Sequence, residues 1–460
     1  MRIKRIIKKF LPKIALNWYH FVLALVSKWL YGYPSNRMVV VGVTGTNGKS
    51  TVVNLIAKIL NGAGLKTGWT STVNFNDGSK QWLNNKKMTM LGRFQLQKLL
   101  KKMFKNGCSA VVVETSSEGI EQYRHLGINY DLVLITNLTP EHIESHGSFE
   151  NYKKAKGKLF FHLSRSKKKK VSQIENLGVD LGLGEYLPKL SVVNMNCKHA
   201  DYFLQFATER KYGFSLEQLG YDNKNNLDFI YRAEDISIGV SGSEFKLKGV
   251  GFKLKLLGKF NVENAVAAIS ASNALGIGLN VCRQALEKVD LIAGRMEFIP
   301  AKNFKVLVDY APEVESLKSL YNFINSTLDI KGKVIHILGS CGGGRDKSRR
   351  SVLGGLAARN AEVIIVTNED PYDENPTEII DQVARGAEDL IETGCSKSRV
   401  YKILDRRQAI RKGLGLASDN DLVLITGKGS EQFMCVAEGC KVKWDDRKVV
   451  AEELERLGKK

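Results

Sequence analysis

Met38 to Leu60 reads MVVVGVTGTNGKSTVVNLIAKIL. The β-branched run Val39–Val43 predicts a buried strand, and Val53, Ile56, Ala57 and Leu60 repeat with helical period. Between them lies the glycine-rich turn Gly45–Thr46–Asn47–Gly48–Lys49–Ser50–Thr51. Strand, glycine-rich turn and helix are the context a phosphate-binding loop requires. Turn amides and the positive helix end receive phosphate oxygens, Lys49 reaches the terminal phosphates, and a Ser50 or Thr51 hydroxyl can ligate Mg²⁺. The strict G-x-x-x-x-G-K-[ST] spacing misses by one place, since Val43 stands where its first glycine belongs and Gly42 comes one residue early.

Farther along, AVVVETSSE (110–118) is an apolar strand that ends in an acid, which puts Glu114 at a carboxyl edge suited to a metal ligand. DLVLITNLTPEHIESHG (131–147) is a second buried-type strand, running into Asn137, His142 and His146, and NYKKAKGKLF (151–160) carries Lys156 in helical context. Taken singly, a histidine after a strand reads as structural and a lysine among lysines as a solvated face. After residue 298, FKVLVDYA, KVIHILGS, AEVIIVTNED and DLVLITGKGS alternate with helical stretches, which predicts a doubly wound, mostly parallel sheet. The expected organisation is α/β: a basic segment 1–36, a P-loop ATPase-like central domain 37–297 and a Rossmann-like domain 298–460.

In combination these segments resemble the Mur ligase family. The carriers are GVTGTNGKS, TNLTPEHIESHG, Y-x-x-A-K-x-x-L-F at 152–160, GKFNVENAVAA, AGRMEFI, VDYAPEVESL, GSCGGGRDKSRR, NEDPYDENP and GKGSEQ followed by WDDRKVV. They cover most of 38–450 and are most similar to the branch that adds the third residue of the peptidoglycan stem peptide.

The resemblance implies an ADP-forming acid–amino-acid ligase using ATP and two Mg²⁺, with a UDP-N-acetylmuramyl-peptide as acceptor and a free amino acid as amine donor. It implies nucleotide contacts from Gly45 to Thr51 and from Asn137, Asn261, Asn264, Arg295 and Asp309. Catalytic roles fall to Lys49, Glu114, His142, Lys156 and Arg295, and metal ligation to Ser50, Glu114, His142 and a carbamylated Lys156. Substrate binding falls to Thr89, Arg93, Ser116, Arg345, Asp346, Glu369, Asp370, Tyr372, Gly427 and Glu431. Residues 293–300 would be the hinge.

Four positions depart from the branch. Glu118, Pro312 and Ser430 replace histidines, and Tyr372 stands where an arginine would pair with the distal carboxylate of diaminopimelate. Tyrosine cannot form that bidentate pair, so a cationic amino acid such as lysine fits Glu369, Asp370 and Asp373 better. Only the 36-residue segment 1–36 precedes the central domain, where the branch has a UDP-sugar-binding domain of roughly a hundred residues. Rival readings are a folylpolyglutamate-type ligase and an inert, membrane-anchored nucleotide-binding protein.

The net charge of +21 is uneven: residues 1–113 hold 19 Lys and Arg and one acid, Asp77, while the remaining 347 hold 50 bases and 47 acids. MRIKRIIKKFLPK has six bases and leads into IALNWYHFVLALVSKWLYGYPS. Asn17, His20 and Lys28 interrupt that apolar stretch, far short of the roughly 20 residues that span a bilayer. It reads as an amphipathic helix over 1–31 that either lies on an anionic membrane, peripheral to the cytoplasmic face, or packs on the next domain. Without aromatic interleaving beyond this helix, the basic quarter does not suggest nucleic acid. The seven cysteines form no C-x-x-C pair, which suggests reduced thiols in a cytoplasmic protein.

Overall fold

The computed structural model describes residues 13–140, 146–218 and 227–460. Two large sheets organise the described residues, beside a small ribbon of Phe433–Cys435 with Lys441–Lys443. The first has eleven strands in the spatial order Val250–Leu254, Gly242–Leu247, Phe229–Gly239, Arg210–Ser215, Leu190–Asn194, Leu132–Ile135, Val39–Thr44, Ala110–Glu114, Thr67–Thr70, Asn74–Asn76 and Gln81–Leu83. Its middle is parallel, and antiparallel hairpins extend both edges.

The strand Val39–Thr44 is buried along its whole length because helices cover both faces. Val39, Val41 and Val43 enter one core, while Met38 and Val40 enter the other. Gly42 belongs to this packing and not to the phosphate loop: a Cβ there would lie 2.8 Å from the Tyr130 ring. The off-pattern glycine is therefore a steric requirement of the strand.

The second sheet runs Glu297–Ile299, Lys305–Val308, Leu422–Ile425, Val334–Leu338, Val363–Thr367 and Arg399–Ile403, all parallel except the first. Glu297, assigned to the central domain from sequence, pairs with Val308 in this sheet. Asp309, Cys341, Glu369 and Gly427 all follow carboxyl ends of parallel strands, the edge at which open α/β sheets bind ligands.

The helix Lys13–Leu30 packs on Arg93–Lys105 and on the turn Arg124–Gly127, burying His20, Ala24 and Ser27. Its other face leaves Trp18 64% and Trp29 69% exposed, with Tyr19, Val22, Val26 and Leu30 beside them. No described helix is long and apolar enough to cross a membrane.

His336 is buried beneath the last sheet's carboxyl edge, with Nδ1 2.6 Å from Tyr321 Oη and Nε2 2.9 Å from Thr426 Oγ1. Burial, reinforced by the nearby Arg406 charge, lowers its pKa from 6.5 to about 3. The unfolded chain thus binds a proton that the folded domain refuses, so stability is complete above pH 6.5 and falls as the solution is acidified. His336 is the only histidine after residue 199. The C-terminal domain should lose about 2 kcal/mol between pH 6.5 and 5, and His336→Gln should flatten that slope in urea unfolding.

Candidate active site

The phosphate loop leaves its strand through two glycines with positive φ, Gly45 at 144° and Gly48 at 79°. A Cβ on Gly45 would sit 1.9 Å from Thr136 Oγ1, and one on Gly48 would sit 2.2 Å from Asn264 Oδ1. Both positions require glycine because the neighbouring strand and helix occupy that space. Helix Lys49–Gly62 starts immediately afterwards, with no side-chain cap on its first amides. First-turn amides have no partner within a helix and carry its positive dipole end.

Asn137 orders the loop by accepting the Asn47 N–H on Oδ1 at 2.8 Å and the Thr46 N–H on its carbonyl at 3.0 Å. Thr136 Oγ1 donates to Asn47 O at 2.6 Å, and Lys49 Nζ donates to Thr46 O at 2.6 Å. Asn264 Nδ2 donates to Asn261 Oδ1 at 3.2 Å, and Asn261 in turn donates to Leu257 O. Asn264 thus braces the loop from the helix Lys259–Ala274, and Asn261 holds Asn264 in place.

Lys156 and Glu114 reach this loop from opposite sides. Lys156, 1% exposed, donates Nζ to Gly45 O at 2.8 Å and lies 4.5 Å from the centroid of the Tyr152 ring. Glu114 accepts the Ser50 hydroxyl at 2.7 Å and both the N–H and hydroxyl of Thr72 at 2.7 and 2.9 Å. Thr72 Oγ1, its proton given to Glu114, lies 3.0 Å from Thr89 Oγ1 and can accept that hydroxyl, which carries the network to the expected acceptor segment. A hydroxyl and a buried carboxylate converging at the start of the helix form the oxygen-rich donor set that suits Mg²⁺. Thr51 is buried in the same turn. His142 lies outside the described residues, and His146 stands 3.1 Å from Ser117 Oγ.

Arg93 opens its helix and donates to Gln122 O at 2.5 Å; burial and the neighbouring Arg124 bring its pKa down to about 10. Ser116 caps the short helix Ser117–Glu121 through the Gly119 N–H. Glu118, in that first turn, stands close enough to Arg124 for their charges to interact.

At the domain junction the chain turns through Gly294 and Met296, both with positive φ. A Cβ on Gly294 would meet Ser430 N at 2.1 Å, so the hinge lies directly against the GKGS loop. Arg295 stacks 4.4 Å from the centroid of the Tyr310 ring. Asp309, read as a nucleotide contact, spends its two oxygens on the Met296 and Ala311 N–H groups at 2.7 and 2.8 Å. It pins the hinge. Burial raises its pKa, with Arg295 opposing.

The last domain brings Glu369, Asp370, Tyr372, Gly427 and Glu431 together. Gly427 is glycine because a Cβ would fall 2.3 Å from Glu369 Oε2. Glu369 accepts the Cys341 thiol at 2.8 Å; burial and the adjacent Asp370 raise its pKa. Asp370 accepts Lys428 Nζ at 2.8 and 2.9 Å and the Cys435 N–H at 2.7 Å. Tyr372 lies against Gly343, where an added Cβ would be 2.6 Å from its ring. Asp346 receives the Ser348 N–H and hydroxyl, which shapes its loop, and Arg345 stands partly buried beside it. Arg349 pairs with Glu313, and Arg350 with Glu374 at 3.0 Å. All seven cysteines are free.

Three residues the sequence did not single out join these networks: Thr72, Lys87 and Lys428. Lys428 lay within the quoted GKGSEQ motif and was readable there. Thr72 and Lys87 carry no motif, and only the fold brings them to Glu114 and Asp370.

Residues 43–272 match the Mur ligase middle domain, and residues 294–429 match the Mur ligase glutamate ligase domain. The chain belongs to the Mur ligase family of ATP-dependent amide ligases. It is 34% identical over 446 residues to a UDP-N-acetylmuramyl-tripeptide synthetase of Roseiflexus, covering 95% of this chain and 82% of that one. It is 30% identical over 454 residues to the UDP-N-acetylmuramoyl-L-alanyl-D-glutamate–2,6-diaminopimelate ligase of Geobacillus kaustophilus, covering 97% and 85%. A solved diaminopimelate ligase of the same title superposes with TM-score 0.59 at 26% identity, covering 95% and 83%. A Mycobacterium tuberculosis folylpolyglutamate synthase shares the fold at TM-score 0.63 and 15% identity, covering 95% and 94%.

Proposed function

We propose that the protein joins an amino acid to the carboxylate of a UDP-N-acetylmuramyl-peptide with hydrolysis of ATP to ADP and phosphate. The observation that carries this is the convergence of Glu114, Ser50 and Lys156 on one phosphate loop, linked through Thr72 to Thr89. The acceptor carboxylate oxygen attacks the γ-phosphorus as the bond to the β-phosphate oxygen breaks, giving an acyl phosphate and ADP. The donor amine then attacks the acyl carbon, loses a proton and expels phosphate. Lys49 and the loop amides orient the triphosphate, and Arg295 at the hinge neutralises charge on the transferring group. Positioning and charge stabilisation provide the catalysis.

Ser50, Glu114, Lys156 and His142 are the proposed ligands for two Mg²⁺, which offset phosphate charge when bound. Lys156 would contribute as its carbamate, since an ammonium repels a cation and a carbamate is carboxylate-like. Thr89, Arg93 and Ser116 would face the acceptor, and the loops of Arg345, Glu369, Asp370, Tyr372 and Glu431 the donor.

The exposed face of Lys13–Leu30 would rest on the anionic inner surface of the membrane. Trp18, Tyr19 and Trp29 point away from the docked side, and the six bases of residues 1–13 each add on the order of 1 kcal/mol at such a surface.

Protein with ATP, Mg²⁺ and UDP-muramyl-dipeptide should release phosphate only when an amino acid is supplied; silence across an amino-acid panel defeats the proposal. Lys156→Ala should abolish turnover and recover part of it with short carboxylates, whereas no recovery would remove the carbamate. The chain should sediment with phosphatidylglycerol vesicles and not with phosphatidylcholine, and Trp18→Ser with Trp29→Ser should abolish that. Equal sedimentation of the double variant would rule out the helix face.

A further inference from the structure

Lys87 crosses from the central domain into the donor pocket. Its Nζ donates to Asp370 Oδ2 at 2.6 Å and pairs with Glu431 Oε2. Lys428 Nζ binds the same two carboxylates from within the last domain, to Asp370 at 2.8 and 2.9 Å and to Glu431 at 2.8 Å. The four side chains are between 0 and 14% exposed. Two cations therefore neutralise two anions in a nearly dry cluster.

The loop carrying Lys87 is built for this reach. Asn84 Nδ2 donates to Ser71 O and Met88 O, and its Oδ1 accepts the Lys86 N–H. Lys441 Nζ, from the last domain, donates to Lys86 O. Lys87 itself sits at φ 56°, a conformation that costs a side-chain-bearing residue free energy and persists where surrounding contacts enforce it. Two residues on is Thr89, linked through Thr72 to Glu114.

The pocket's acids are consequently not open to a cationic donor in the way the sequence suggested. Glu369 is fully enclosed, accepts the Cys341 thiol and is pushed by burial toward its neutral form. Asp373 is exposed and accepts the Glu438 N–H. Asp370 and Glu431 are held by Lys428 and Lys87. Lys428 is bound within its own domain and also donates to Phe433 O, so it cannot leave without unmaking the loop. Lys87 is the replaceable cation, because it arrives from another domain on a flexible stem.

We propose that Lys87 is a specificity-determining residue for the amine donor: its ammonium occupies the Asp370–Glu431 carboxylate pair and competes with a cationic group on the donor's side chain. This rests on the ligase reading of the pocket. A neutral donor leaves Lys87 in place and the domains joined, whereas a diamino acid must exchange its own ammonium for that of Lys87. Removing the lysine leaves Asp370 and Glu431 facing Lys428 alone, with one negative charge to be balanced by the ligand.

Calorimetric titration of the full chain, with Mg²⁺ and a non-hydrolysable ATP analogue, would compare lysine with norleucine, which lacks only the side-chain ammonium. Lys87→Met should shift the lysine-to-norleucine affinity ratio toward lysine by at least about tenfold, while Lys87→Arg, which keeps the charge, should hold the wild-type ratio. Each protein is its own reference, so a fraction of misfolded molecules alters both ligands alike. An unchanged ratio in Lys87→Met, the same gain in Lys87→Arg, or no binding of either amino acid to any of the three proteins would overturn the proposal. Failure of the ligase reading registers separately, as absent phosphate release.

Discussion

The glycine-rich loop is packed so tightly against its neighbours that two of its positions admit no side chain. Gly45 is pressed against Thr136, Gly48 against Asn264, and the Gly45 carbonyl is held by the buried ammonium of Lys156. Because each neighbour comes from a different strand or helix, the loop takes its shape only when the sheet is assembled, and the assembled sheet leaves it one shape to take. Preorganisation of this kind lets first-turn amides and Lys49 meet a phosphate without paying to order the chain at the moment of binding. Glu114, at the end of the adjacent strand, completes the arrangement by fixing Ser50 and Thr72 together.

The same logic extends across the domain junction. Asp309 binds backbone amides on both sides of the turn, Gly294 packs on the Gly429–Ser430 backbone, and Arg295 is stacked over Tyr310. These contacts tie the junction to the carboxyl edge of the second sheet. Across the junction, Lys87 meets Asp370 despite a separation of 283 residues in sequence. The Lys87–Thr89 segment and the Asp370–Glu431 cluster thereby become neighbours. Charge in this cluster is a property of both domains, since one of its two neutralising lysines is borrowed.

Much was readable from residue order because its causes are local. A β-branched run followed by G-T-N-G-K-S and a helical apolar period dictates strand, loop and helix through short-range sterics, and four later alternations dictate a parallel sheet. The motif residues Lys156 and Asn264 meet the loop in the structure, with Asn261 bonded to Asn264, and Glu369, Asp370, Tyr372, Gly427 and Glu431 lie close together. Local pattern failed where the cause is non-local. Gly42 reads as a displaced loop glycine, whereas the structure packs Tyr130 on it, and nothing near Asp309 in sequence announces that its two oxygens accept the Met296 and Ala311 N–H groups.

The succession of elements and the chemical types at their ends follow from residue order alone, since backbone propensity, apolar period and motif chemistry are written in neighbouring residues. Tertiary structure alone decided which charges cancel. Lys87 is one of two adjacent lysines in an unremarked loop, and Asp370 one of several acids. Whether such groups are free or paired depends on ion pairs of a few ångströms between segments hundreds of residues apart, a distance that no sequence pattern records.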